Sequence, residues 1–161
     1  FGLNNGMIPI ISYNYGAQKP DRMKRTMKLG VMVGCSIMVF CLAIMQVFPG
    51  QILKIFDATD EMLLMGIPAV RIMSTAFIFA GFSVTCSGMF QAVGKGVYSM
   101  IVSMARQLFV ILPVAYFLSK AMNSVNGVWA AFPIAEVFSV IISTIFLLRV
   151  YKKIVKPMES V

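Results

Sequence analysis

Histidine is absent from this 161-residue chain. Its absence removes the commonest metal ligand, the commonest catalytic base and the simplest pH switch. Charge is scarce as well: 12% of residues are charged, against about 25% in soluble domains. Cysteine is limited to Cys35, Cys41 and Cys86. None forms a CxxC pair and all lie in apolar runs, so they read as buried thiols, not disulfides or a metal site. A Ser/His/Asp set, an HExxH motif and a Walker loop are all missing. Gly94-Lys95-Gly96 is too short to cradle a phosphate. The chain therefore reads as non-enzymatic, with no catalytic residue, cofactor site or metal site. Residues 1–18 lack the basic n-region and cleavage site of a signal peptide. They read as the end of a helix begun upstream, and a fragment is expected.

What is present is apolar. Hydrophobic residues make up 59% of the chain, more than a soluble domain of about 45–50% carries. That surplus excludes a soluble globule and a disordered chain, and leaves an all-α polytopic membrane protein. Four runs approach the length of about 20 residues that a bilayer demands. They are 29–48, 72–94, 97–119 and 126–148, and residues 1–18 supply the end of a fifth helix. Lipid cannot satisfy loose backbone groups, so these runs should be helices. Pro9 and Pro113 suggest bends in two of them.

The connections alternate in charge. Lys19, Arg22, Lys24, Arg25 and Lys28 face one acid, Asp21, after the partial helix. The link over 49–68 sets Lys54 against Asp57, Asp60 and Glu61. Lys95 marks the next turn, Lys120 the one after, and Arg149, Lys152, Lys153 and Lys156 the tail of 149–161. The positive-inside rule then puts the first link, the Lys95 turn and the C-terminal tail in the cytoplasm. Basic residues in this pattern orient spans in a lipid bilayer; no nucleic-acid partner is expected. The link over 49–68 contains two short amphipathic pieces, 51–56 and 61–65, read either as a simple re-entry linker or as pieces along the interface, with Asp57 or Asp60 capping the second.

Two charges fall inside spans, where they are expensive and need a reason. Glu136 lies near the middle of its run, three residues after Pro133, which removes a backbone donor and loosens that turn. Arg106 lies about 14 Å deep from the basic side, and Glu136 about 18 Å from the same side, at 1.5 Å per residue. Their helices are antiparallel neighbours, so the two side chains are expected to meet. Alone, Glu136 is a candidate proton carrier; paired, it stays ionised. An interhelical lock for Glu136 and a snorkelling Arg106 are the competing readings. Ser83, Ser87 and Gln91 recur every four residues and form one stripe, read either as packing contacts or as a cavity lining. Gly81 and Gly88 allow close helix approach. The abundant methionines and phenylalanines face lipid or line an adaptable binding surface.

The order of these features resembles a known family. GLNNGMIPIISYNYGAQKPDRMKRTMK is similar to the eighth helix and following loop of multidrug and toxic compound extrusion (MATE) transporters. GMFQAVGKG followed by SMARQLFVILPVAYFL resembles the tenth and eleventh helices, and GVWAAFPIAEVFSVIIS the twelfth. The bacterial DinF-like and MepA-like branch is the nearest in pattern. The resemblance implies most of the C-terminal six-helix lobe of a twelve-helix antiporter in the bacterial cytoplasmic membrane. Such a protein exports organic cations and other xenobiotics in exchange for H⁺ or Na⁺, its N-terminal lobe completing the cavity. The acidic residue that some members carry in the tenth helix is missing from 72–94. Glu136, Arg106 and Gln107 are singled out for transport and coupling, and Gln91, Tyr13 and Asn14 for lining or gating a cavity. A lipid or oligosaccharide flippase of the same superfamily and a non-transporting membrane scaffold are the alternatives.

Overall fold

The computed structural model describes residues 1–159, and all regular structure among them is helical. The order is α1 (Gly2–Gly16), α2 (Pro20–Val47), α3 (Pro49–Ile55), α4 (Asp60–Ser74) and α5 (Phe77–Ala92). Then α6 (Gly96–Met104), a wide π-helical stretch (Ala105–Ile111) and α7 (Leu112–Met122) form one rod. Last comes α8 (Asn126–Val150), which runs through a second wide stretch (Tyr151–Val155) into α9 (Lys156–Met158). Pro20–Val47, Gly96–Met122 and Asn126–Met158 are each long and apolar enough to cross a bilayer. Taken together, α4 and α5 are long and apolar enough for a fourth, as a pair bent by 53° that forms either a broken span or a re-entrant loop.

Local chemistry sets the boundaries. Pro20 and Pro49 open α2 and α3, where a missing N–H costs nothing. The Thr59 hydroxyl accepts the Met62 N–H at 3.4 Å and caps α4, not Asp57 or Asp60 as expected. Asp57 sits two residues too early, at a positive φ of 55°. Asp60 is already the first helical residue, and it complements the helix dipole together with Glu61. Residues 61–65 therefore belong to the first turns of α4 and form no separate helix. Between α5 and α6, Gly94 takes a φ of +73° and Lys95 donates its N–H to the Phe90 carbonyl at 2.7 Å. That reverse turn needs a glycine.

The expected span over 72–94 is not one straight helix. It breaks at Thr75–Ala76 without any proline or glycine at the break. The hydroxyls of Ser74 and Thr75 donate to the carbonyls of Arg71 and Ile72, at 3.1 and 2.7 Å. Gln46, reaching across from α2, donates to the Arg71 carbonyl at 2.8 Å and to the Ser74 hydroxyl at 3.0 Å. These bonds take over carbonyls that a continuous helix would have used.

Packed at the centre, α5 touches α1, α2, α6 and α8. Its glycines permit this. A Cβ on Gly81 would lie 3.0 Å from the Cys35 Cα, and one on Gly88 would lie 2.7 Å from Asn4 Oδ1. The Asn4 amide in turn donates to the Val84 carbonyl at 3.0 Å. Cys86 is buried and Cys35 and Cys41 are half-buried; all three are free thiols. The apolar core gathers Ile11, Met23, Cys86, Phe90, Val150 and Val155 toward the end bearing the Gly94 turn and α9. We call this the basic end. Leu29, Met32, Phe40, Phe109, Phe117 and Ile141 point outward and exposed, as lipid-facing residues do.

Candidate functional site

Two helix irregularities line one cavity. One is the α4–α5 break. The other is the wide stretch Ala105–Ile111, which stands just before Pro113. Proline lacks the N–H and crowds the preceding turn. A π-helical widening relieves that crowding without ending the helix. The bend expected at Pro113 is therefore replaced by wide turns inside a continuous rod. Those wide turns carry Arg106 and Gln107.

Arg106 Nη1 donates to Glu136 Oε1 at 2.6 Å, joining the wide stretch to the middle of α8. The expected meeting of these two residues is observed, and Arg106 does not snorkel to an interface. The distance is typical of a charge-assisted hydrogen bond. Glu136 is only 7% exposed. Its second oxygen, Oε2, is buried and accepts no hydrogen bond among the described residues. The Ser139 and Ser143 hydroxyls, one and two turns further along α8, are also buried without a hydrogen-bond partner among those residues. Burying a charge costs several kcal/mol unless it is paired, so the carboxylate and the guanidinium hold each other in place.

A cavity of about 400 Å³ adjoins the pair. Met45, Met73, Phe77, Ile111 and Phe132 make most of its wall apolar, and Ser74, Arg106, Gln107 and Glu136 supply the polar points. Its size and its few convergent polar groups suit a small-molecule site. Gln107 lies at its mouth, exposed, and its amide makes no hydrogen bond among the described residues. Ser74 connects this cavity to the helix break through Gln46.

On the basic side of the pair lies a smaller cavity of about 170 Å³. Asn4, Ser83, Ser87, Gln91, Ser99 and Ser103 line it, and so does Arg106. The stripe Ser83, Ser87, Gln91 is thus a cavity lining, although Gln91 also ties α5 to α6 by donating to the Ser99 hydroxyl at 3.1 Å.

Tyr13 and Asn14 do not join the site. Tyr13 is 74% exposed on the outside of α1. Asn14 turns inward and donates to the Ile10 carbonyl of its own helix at 2.8 Å. Neither lines the two cavities beside the ion pair. Sequence reasoning missed Gln46, the residue that holds the break. Its signal was available: it is the strongly polar member of an otherwise apolar span.

Comparison with known proteins adds context. The MatE family profile matches residues 1–117, a stretch that contains Arg106 and Gln107 and stops short of Glu136. The multidrug export protein MepA of Staphylococcus haemolyticus is 27% identical over 129 residues, which is 80% of this chain and 28% of its own length. MepA of a bovine Staphylococcus aureus strain is 28% identical over 135 residues, 84% of this chain and 29% of its own. The chain thus spans less than a third of the length of these relatives. The solved structure of the MATE multidrug transporter DinF-BH in complex with R6G superposes with a TM-score of 0.83 at 32% identity, covering 93% of this chain and 33% of that one. An inward-facing multidrug resistance MATE family transporter of the MOP superfamily gives a TM-score of 0.87 at 18% identity, over 99% and 36% of the two chains. That second likeness is one of fold.

Proposed function

The chain belongs to the MatE family, and from that premise we propose that it forms the ion-pair-bearing part of an antiporter. That antiporter exports organic cations across the bacterial cytoplasmic membrane in exchange for H⁺ or Na⁺. The observation that carries the reading is a mid-span carboxylate, Glu136, at the wall of an apolar cavity beside a broken helix. An apolar cavity whose one acidic group can exchange its Arg106 partner for a ligand's charge suits lipophilic cations. Antiport follows when organic cation and coupling ion reach that carboxylate in turn, each in place of the Arg106 guanidinium. Gln107 contributes an adaptable polar contact at the cavity mouth. The break between α4 and α5 supplies a joint, as discontinuous helices do in alternating-access transporters.

Arg22, Arg25, Lys28, Lys95, Arg149, Lys152 and Lys153 belong to the basic end, and the positive-inside rule supports a cytoplasmic side for that end and for the tail. The relatives named as exporters of multiple drugs and the R6G-bound structure support drugs as the cargo class, with an N-terminal lobe as the partner that completes the cavity.

Everted membrane vesicles containing the full-length parent protein test the reading. Export of a fluorescent organic cation is followed under an imposed ΔpH and then an imposed Na⁺ gradient, with Glu136→Gln alongside. Wild type is expected to export under one gradient and the variant to lose coupling. Equal export by both makes Glu136 structural. Failure of wild type under both gradients moves a lipid or oligosaccharide flippase ahead.

A further inference from the structure

Arg106 is the residue that the two cavities share. This position gives it a role beyond holding α8. The larger cavity is apolar and drug-sized, and its one acidic group, Glu136, is already taken by the guanidinium at 2.6 Å. A lipophilic cation entering there finds its counter-charge occupied. The smaller cavity, on the other side of Arg106, carries no acidic residue; it offers the hydroxyls of Ser83, Ser87 and Ser103 and the Gln91 amide oxygen. Guanidinium has five donors and no acceptor, and hydroxyl and amide oxygens can receive it without forming a second ion pair. A second ion pair would hold the guanidinium against return. The wide turns at Ala105–Ile111 relax the backbone that carries it.

We infer that Arg106 is a tethered counter-ion: it neutralises Glu136 while the larger cavity is empty, and an organic cation displaces it toward Ser83, Ser87 and Ser103 to take its place on Glu136. The inference rests on the organic-cation reading above. It adds the device that enforces selection. A neutral molecule of the same shape gives Glu136 no substitute charge, so Arg106 stays. A cation takes the guanidinium's place on Glu136, and the displaced guanidinium is held by the oxygens of Ser83, Ser87, Ser103 and Gln91.

Binding to the purified full-length protein at constant pH 8 tests this. Calorimetry would compare tetraphenylphosphonium with neutral triphenylphosphine oxide. Removing the competitor with Arg106→Gln is expected to tighten tetraphenylphosphonium about ten-fold and leave the oxide unchanged. In a Glu136→Gln background the same substitution is expected to do nothing. Ser87→Leu fills the receiving cavity without touching the ligand. It is expected to weaken tetraphenylphosphonium several-fold in wild type and not in Arg106→Gln. Unchanged or weaker cation binding by Arg106→Gln, or an equal effect on the neutral oxide, overturns the tethered counter-ion. Wild-type vesicles that still export cations in that case leave the antiporter reading standing; vesicles that do not export remove both.

Discussion

The two ends of this bundle solve opposite problems. At the basic end, Phe90 meets Tyr98 and Phe146 edge-on at 6.0 and 6.3 Å, while Tyr98 and Phe146 stack at 4.4 Å. Ser12 of α1 donates to the Ala92 carbonyl at 2.9 Å and fastens the end of α5. Lys24 bridges Asp21 and Glu159, bringing the start of α2 to the end of α9. From mid-depth to the far end, the same helices surround a cavity of about 400 Å³, an ion pair and a 53° break. Aromatic rings tie the helices together at one end, beside a cavity of about 230 Å³ among Met23, Met89, Leu147 and Val155; the other end has the larger cavity and the ion pair. A helix bundle can be held rigidly at one end and still rearrange at the other, provided that the joint lies between them. Thr75 and Ala76 stand at that joint.

Substitutions at matched positions sharpen the contrast. Phe90→Ala at the basic end is expected to cost about 2–3 kcal/mol. This is below the usual Phe→Ala loss, because in detergent the unfolded chain also keeps apolar side chains out of water, which leaves mainly the cavity cost at this fully buried position. Phe77→Ala in the cavity wall should cost about 1 kcal/mol or less, since its ring is already part-exposed. Thermal unfolding of the full-length protein in detergent reads both; equal losses would erase the distinction between the ends.

Gly81→Ala comes next in size. Its Cβ would press on the Cys35 backbone at 3.0 and 3.2 Å, where no flexible side chain can yield. Overpacking of this kind costs about 1–3 kcal/mol. The same melting experiment measures it, and a neutral result would mean that α2 and α5 slide freely above the core. Gln46→Leu removes the two bonds that hold the break, at about 1 kcal/mol of stability. Its larger effect should fall on export rate, because Ser74 and the Arg71 carbonyl lose the partner that fixes the bend. An unaltered export rate in vesicles would show that the break persists without α2. Smallest is Thr59→Ala, worth about 0.5–1 kcal/mol for an exposed cap with a long bond. It lies beyond the joint, so melting should shift slightly and cation binding should not change.

Some of this was legible in the residues. Counting depth along two antiparallel runs was enough to bring Arg106 to Glu136, because helix rise is constant and the connecting turn over 123–125 is short. The Ser83–Ser87–Gln91 stripe was legible as one face, since a four-residue spacing fixes a face whatever the packing. What that face touched was not legible. Rotation about a helix axis is set by neighbours, which also decides that Tyr13 and Asn14 lie outside both cavities beside the ion pair. The break in α4–α5 was hidden for another reason. Threonine hydroxyls bond carbonyls inside intact helices too, as Thr26 and Thr85 do, so Ser74 and Thr75 mark no break by themselves, and Gln46, which takes the Arg71 carbonyl, is remote in sequence.

The wide stretch before Pro113 has one more consequence. A helical rod with a π-helical stretch contains more residues than its length requires. Shifting that surplus by one position leaves both ends of the rod where they were. It turns the side chains in between by about 100° around the axis. Arg106 and Gln107 ride on that surplus. The rod can therefore re-aim a charge in the middle of the membrane as a dial turns inside a fixed frame, with neither end of the span leaving its lipid contacts.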